Sequence, residues 1–435
     1  MLMALHALAQ HLAGHQHLLV GFSGGLDSTV LLHQLVTLRA QRDDLHLRAI
    51  HIHHGLNPLA DGWVEHCQQL CQRWEVELAV VYVTLDSREK GVEAAARDAR
   101  YQAFAEHLRP AECLLTAQHL DDQCETFLLA LKRGSGPAGL AGMPVQSLLG
   151  THTLLRPLLL QNRGQLEAWA AEHALSWIED DSNQDTRFDR NFLRQKVIPE
   201  LTSRWPHFAQ SVARSATLCG EQEQLLDELL AESLGTLVDE AGGLAWAPLL
   251  AMSEVRRAAL LRRWIASQGG LMPSKASLQR LWQEVACSRE DAEPRLRLGR
   301  FDVRRYRDRL YWLALTEPVT DVILRWPSGE ASLRLPDGLG HLLRDDAGIK
   351  IRAPLPEEIV SVRFQAQGKF HLTDRAGSRA LKKIWQEKGI PPWQRDRTPL
   401  LFYGETLIAA VGVFVTREGK PDEDVYWQVS WIKQA

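Results

Sequence analysis

The chain has little of what marks a secreted, membrane-bound or disulfide-stapled protein. Six cysteines are scattered through 435 residues and no CxxC pair occurs, so neither a disulfide framework nor a zinc ribbon is expected. Cys67 and Cys71 lie four apart on one predicted helix face, a spacing that suits core packing better than metal. No apolar run approaches the roughly 20 residues of a membrane helix. Met1 to Gln16 is His-rich, without a basic start or a sustained apolar stretch, so no signal peptide is expected despite Ala7-Leu8-Ala9. A cytoplasmic protein that keeps clear of membranes follows. Charge of one sign is also missing: 50 Lys+Arg against 54 Asp+Glu leaves a net charge of -4, which excludes nothing locally but gives no global signature of nucleic-acid binding.

What is present is patterned. An apolar content of 45% over this length predicts a soluble globular chain of two or three domains. From His17 to about Ile178 strand-like and helix-like segments alternate. The strands are His17–Phe22, Leu45–Ile52, Leu78–Val83 and Cys113–Ala117; the helices begin near Thr29, Asp61, Val92 and Asp121. This alternation predicts an α/β fold with a doubly wound parallel sheet, whose ligand site lies beyond the carboxyl ends of the strands.

The first strand runs into Ser23-Gly24-Gly25-Leu26-Asp27-Ser28 and then a helix. Two glycines let the backbone turn tightly, and the unpaired N–H groups of a helix start attract anions, so the layout is a phosphate cradle. It is neither a Walker A loop nor GxGxxG. The second strand ends in His51-Ile52-His53-His54-Gly55-Leu56, where three histidines invite a metal reading without a nearby Cys or carboxylate. After the third, Glu93, Arg97 and Tyr101 share a helix face, as a solvated Glu–Arg pair would. After the fourth, His119, Asp121, Asp122, Glu125 and Thr126 converge, more carboxylate than a capped helix start requires.

The SGGLDS loop resembles the PP-loop of the N-type ATP pyrophosphatases, which split ATP into AMP and pyrophosphate. Adding His51–Leu56, Gly91–Tyr101, Thr116–Thr126, Arg156-Pro157-Leu158, Asp180–Asn183 and Arg190-Asn191-Phe192-Leu193-Arg194, the series is similar to the tRNA(Ile)-lysidine synthetase family in order and spacing. Leu381–Glu387 with Gly389-Ile390-Pro391-Pro392-Trp393 resembles the C-terminal domain of its long form. Two departures are Asn57, where the family often has Arg, and Gln118, where it commonly has His.

That resemblance implies a PP-loop catalytic domain (1–215), a mainly helical connector and tRNA-binding domain (216–320) and a small α+β C-terminal tRNA-binding domain (321–435). It implies ATP-dependent ligation of L-lysine to the wobble cytidine of tRNA(Ile) with a CAU anticodon, through an adenylated cytidine, and leaves a homodimer open. ATP would be held by Ser23, Gly24, Gly25, Leu26, Asp27, Ser28, His51 and Arg97, and Mg2+ by Asp27. Asp122, His119 and Asp27 are the candidate catalytic groups, and Asp121, Asp122 and Glu125 the lysine-binding set. The tRNA contacts are assigned to Arg190, Arg194, Arg304, Arg305, Lys382 and Lys383. For the Arg295–Arg307 hairpin, charge repulsion among the arginines adds its own argument for phosphate opposite. The rivals are a tRNA thiolase, for which paired cysteines are missing, and an RNA-binding protein without chemistry, against which the acidic cluster speaks. With 22 residues ahead of the loop, a glutaminase domain is not expected.

Overall fold

β1 (His17–Gly21) is the axis of the first half of the molecule. Its three central residues are buried, and it pairs in parallel on one side with β2 (His46–His53) and on the other with β4 (Cys113–Leu115). The computed structural model describes residues 2–55, 57–84, 92–289, 292–375, 377–422 and 425–433. It divides into two units, Met1–Leu229 and Leu230–Ala435.

In the first unit, in chain order, α1 (Leu2–His11), β1, α2 (Leu26–Arg39), β2, α3 (Ala60–Arg73), β3 (Glu77–Tyr82), α4 (Val92–His107), β4 and α5 (Leu120–Lys132) carry out the alternation. Next come α6 (Pro137–Leu140), β5 (Gln146–Leu149), β6 (His152–Leu155) and α7 (Arg163–Glu172). The six strands are ordered β3-β2-β1-β4-β6-β5, parallel except for β5, which returns antiparallel beside β6. The chain moves outward from β1 through β2 to β3, then crosses back to place β4 on the other side of β1. The switch point therefore lies between the ends of β1 and β4, where an open α/β sheet leaves a crevice. Apolar strands buried on both faces require helices on both. Leu18, Val20, Leu31, Leu35 and Trp169 fill one layer, and Leu19, Ile50, Phe104 and Leu114 the other.

Past α7, a helical run of α8 (Asp189–Phe192), a π turn (Leu193–Val197) and α9 (Ile198–Arg204) leads to the long α10 (Phe208–Leu237). α5 is clamped by this run: Leu120 and Cys124 pack with Ile198, Ala209, Val212 and Ala213.

In the second unit, β7 (Leu244–Ala245), α11 (Glu254–Ser267), α12 (Lys275–Arg280), β8 (Arg295–Leu298), β9 (Phe301–Tyr306) and β10 (Arg309–Ala314) form helices laid on a four-stranded antiparallel sheet. Its core is Leu260, Trp264, Leu281, Val303 and Leu310. The expected hairpin is β8–β9, turning at Gly299; β10 adds a strand that the arginine alternation did not announce. The C-terminal part is strand-rich. β11 (Leu324–Arg325), β12 (Ser332–Arg334), β13 (His341–Arg352), β14 (Val360–Arg363), β15 (Lys369–His371) and β16 (Ser378–Ala380) precede α13 (Leu381–Glu387) and α14 (Pro392–Arg395). β17 (Leu400–Tyr403), β18 (Thr406–Ala410), β19 (Phe414–Val415) and β20 (Tyr426–Ile432) follow. The stretch 321–348 holds β11, β12 and the start of β13, which pairs along its length with β20.

Candidate active site

The Ser23–Ser28 loop leaves β1 at the switch point. Gly24 has φ +83, and a Cβ there would stand 2.5 Å from Ile178 Cδ1 and 2.8 Å from Cys67 Sγ, so only glycine fits. Its carbonyl accepts from Ile178 N–H at 2.9 Å, tying the loop to the segment before Asp180-Asp181. Ser23 Oγ and Ser28 Oγ are 3.0 Å apart, and Ser28 Oγ donates to Gly25 O at 3.1 Å. Gly25 caps α2 without a side-chain hydrogen bond. The first N–H groups of α2 thus stay available to an anion. His51, buried, donates Nδ1–H to Phe22 O at 2.9 Å. Burial lowers its pKa, so a neutral ring props the residue just ahead of the loop.

Four carboxylates and three cations gather beyond β4. His119, 1% exposed, opens α5. Its Nδ1 lies 3.3 Å from Asp121, and its Nε2 lies 3.5 Å from Asp122 and 3.6 Å from Asp27 of the loop. Burial disfavours the imidazolium, but the carboxylates of Asp121, Asp27 and Asp122 outweigh it and raise the pKa to about 10. The ring stands between the loop and α5, and its Nδ1 accepts the Asp121 N–H at 3.2 Å, capping the helix. Asp122 Oδ2 accepts His119 N–H at 3.0 Å and Oδ1 accepts Arg194 Nη2 at 3.0 Å. Asp121 Oδ2 accepts the Arg163 N–H that starts α7, at 2.8 Å. Burial works against ionisation of Asp121, yet His119 and that N–H bring its pKa below the ordinary value.

Glu125 is 0% exposed, and both its oxygens are taken: Oε1 by Arg194 Nε at 2.6 Å, Oε2 by Arg194 Nη2 at 3.1 Å. Arg190 Nη1 stands 3.8 Å from Oε2, and Arg190 Nη2 donates to Thr126 Oγ1 at 3.4 Å. Two expectations change here. Arg190 in α8 and Arg194 in the π turn, both expected to grip tRNA, turn toward the carboxylates. A contact between Glu125 and a lysine ammonium needs Arg194 to leave first. Asp27, Asp121, Asp122 and Glu125 stand against His119, Arg190 and Arg194, so the acidic side chains of the cluster outnumber the basic ones by one. Asp27 Oδ1 is buried without a hydrogen-bond partner, and a hard carboxylate oxygen facing the phosphate cradle fits Mg2+, which takes one or two carboxylates and completes its shell with phosphate and water.

The three-histidine metal reading is not supported: among the described residues no group of three His, Cys, Asp or Glu side chains could hold an ion. His53 faces Asp61 at 3.2 Å, and burial together with Arg100 lowers His54 to about 4.

Three family models match in order along the chain: a PP-loop domain over residues 3–201, a TilS substrate binding domain over 244–311 and a TilS substrate C-terminal domain over 360–431. The tRNA(Ile)-lysidine synthase of Serratia proteamaculans is 60% identical over 428 residues, 98% of each chain. That of Pectobacterium atrosepticum is 58% identical over 428 residues, 98% of this chain and 97% of its own. The chain belongs to the tRNA(Ile)-lysidine synthase family. Among solved structures, the U34-tRNA thiolase NcsA from Methanococcus maripaludis has a TM-score of 0.42 and 16% identity over 49% of this chain and 77% of that one.

The remaining sites expected of a lysidine synthase fall outside this cluster. Arg97 is exposed on α4, its guanidinium 4.9 Å from the Tyr101 ring centroid; Gly91 and the Glu93 side chain lie outside the described residues. In the hairpin, Asp302 sits 2.6 Å from Arg295 and 3.5 Å from Arg297. Asp302 thus supplies local counter-charge to two of the hairpin arginines, while Arg295 still acts repulsively on Arg304. Arg305 Nη1 donates to Ala286 O at 2.9 Å and its Nη2 to Arg289 O, so its guanidinium also serves as an internal strut. Arg304 lies half-buried, 5.9 Å from the Trp393 ring centroid. Lys382 and Lys383 are exposed on α13. Two residues of the site, Ile178 and Arg163, escape a reading by motif. The first acts through its methyl and its N–H and the second through its backbone N–H, neither of which a motif displays.

Proposed function

We propose that this protein uses ATP to join L-lysine to the wobble cytidine of tRNA(Ile) with a CAU anticodon, releasing AMP and pyrophosphate and leaving lysidine. The observation that carries the reading is the 3.6 Å approach of Asp27 to His119. It joins a phosphate cradle to a carboxylate cluster at the one switch point of the sheet. The full-length similarity to lysidine synthases supports it.

In the first step the cytidine carbonyl oxygen attacks the α-phosphorus of ATP and pyrophosphate leaves. The N–H groups at the start of α2, with Ser23 and Ser28, bind the departing phosphates as charge builds on them. Mg2+, held by Asp27, would supply further neutralisation of that charge when bound.

In the second step the ε-amine of lysine displaces AMP. Its ammonium must lose a proton, and with a pKa of about 10.4 the neutral amine costs roughly 4.6 kcal/mol at pH 7. The carboxylates of the cluster attract the ammonium, and Asp122 is our candidate for taking its proton, with Asp121 beside it. His119, within 3.6 Å of Asp27, Asp121 and Asp122, holds these carboxylates and the loop together.

The cysteines give the thiolase rival no support: Cys67, nearest the loop, is buried with its thiol pushed up to about 12, as are Cys71, Cys113 and Cys124. We place the enzyme in the cytoplasm, where its RNA substrate is. The test is mass spectrometry of tRNA incubated with protein, ATP and lysine: a lysine adduct on the RNA that forms only with ATP supports the reading, and sulfur gain or no change refutes it.

A further inference from the structure

We propose that Phe188 and Phe192 form a stacking platform for the unpaired nucleotides that flank the target base, an inference that rests on the RNA-substrate reading above. Phe192 N–H donates to Phe188 O at 2.9 Å, so the two residues are one helical turn apart on one face. Phe188 is 46% and Phe192 47% exposed. A single exposed ring needs no explanation, whereas two in register form a patch.

The reverse face of the same helix enters the acidic cluster. Arg190 and Arg194 each follow a phenylalanine by two residues, a rotation of about 200°. They turn to Thr126, Glu125 and Asp122. The platform is therefore about one helix diameter, some 10 Å, from the proposed lysine pocket.

Charge selects the occupant. Lys196, next on this side of the run, is exposed, and so is Arg204. The two carboxylates beside the rings are already paired, Asp185 with Arg187 and Asp189 with Lys132, each at 2.6 Å. They offer phosphate little repulsion. An enzyme that modifies a base must take it out of its stack, and the neighbouring bases then lose a stacking partner. Aromatic rings replace that partner without regard to sequence, while an apolar protein partner would gain nothing from the exposed cations.

The experiment uses the full chain, with an RNA hairpin carrying the CAU loop as the probe and a blunt RNA duplex of equal length as the control. Phe188→Ala, Phe192→Ala and Phe192→Leu should each weaken hairpin binding by about 5- to 140-fold, the range found for removing one base–aromatic stack. Phe192→Trp should retain it, and duplex binding should not move. Hairpin affinities within twofold of the parent for the Ala and Leu variants, with unchanged melting temperatures, would overturn the platform. So would a change of oligomeric mass by light scattering without a change in RNA affinity, which assigns the face to a second copy. Lysine transfer by the parent protein, run in parallel, reports separately on the ligase reading: if transfer is absent while the Ala variants lose hairpin affinity, that reading fails and RNA stacking on the rings stands.

Discussion

Replacing Arg194 by Ala removes the partner of a carboxylate that has no access to water. Glu125 is 0% exposed and Arg194 spans both its oxygens. Breaking a buried pair by deleting one partner costs about 3–5 kcal/mol, because the charge left behind is uncompensated. Arg190 Nη1 remains at 3.8 Å and keeps part of the attraction, so the lower end applies, about 3 kcal/mol. For a unit of this size that corresponds to a fall in Tm of roughly 6–12 °C.

The cost depends on pH with a definite sign. Burial already holds the pKa of Glu125 above its ordinary value despite Arg194, and loss of the guanidinium raises it further. The folded state then binds more protons than the unfolded one, so stability falls as pH rises from the unfolded pKa through the raised folded value. The destabilisation of Arg194→Ala should be larger at pH 8 than at pH 5. Adding Glu125→Gln should recover most of it, since the stranded charge is gone. Thermal unfolding of the parent, both single variants and the double variant at the two pH values closes the cycle. An Arg194→Ala protein that melts within 1–2 °C of the parent at pH 8, or a double variant no more stable than the single, would refute the placement of this pair.

Other parts of the site give independent outcomes. Gly24→Ala meets both a positive φ and the Ile178 and Cys67 side chains, so ATP binding by calorimetry should weaken at least tenfold while tRNA affinity holds. Asp122→Asn should bind tRNA and release pyrophosphate but fail to incorporate radiolabelled lysine; normal incorporation would remove Asp122 from the second step. Lys382→Ala with Lys383→Ala should lower the slope of log affinity against log salt by up to about 1.4, near 0.7 for each single-strand phosphate that is no longer neutralised. Arg305→Ala should act first on stability, lowering the melting temperature of a chain whose tRNA affinity at low salt is unchanged, since its guanidinium serves two backbone carbonyls.

The parallel sheet and its crevice were legible because they rest on period and order: buried apolar strands, helices between them, and chemistry-bearing residues straight after β1 and β4. Asp27, His119 and Asp122 could be paired in advance since both segments had to end at the same edge of the sheet. Side-chain direction could not be read. Arg190 and Arg194 lie in a basic stretch assigned to tRNA, but both guanidiniums reach toward Glu125, and nothing in the residue types signals that direction. Asp302 is one acid among arginines, and only the β8–β9 register brings Arg295 and Arg297 to it. The strands of 321–348 show no local period because most of β13's partners, in β20, lie about 80 residues later. His119, named as a candidate catalytic group, stands within 3.6 Å of three carboxylates that its motif alone did not place around it.

The central claim is that one site, at the ends of β1 and β4, first adenylates an RNA base and only then takes lysine. Pyrophosphate release in a single turnover with ATP and tRNA, lysine being left out, tests it most directly. The expected result is release that requires tRNA, together with a tRNA heavier by one adenylate that lysine then discharges as AMP. Pyrophosphate release that needs lysine, or that proceeds while the tRNA stays unadenylated, would contradict it.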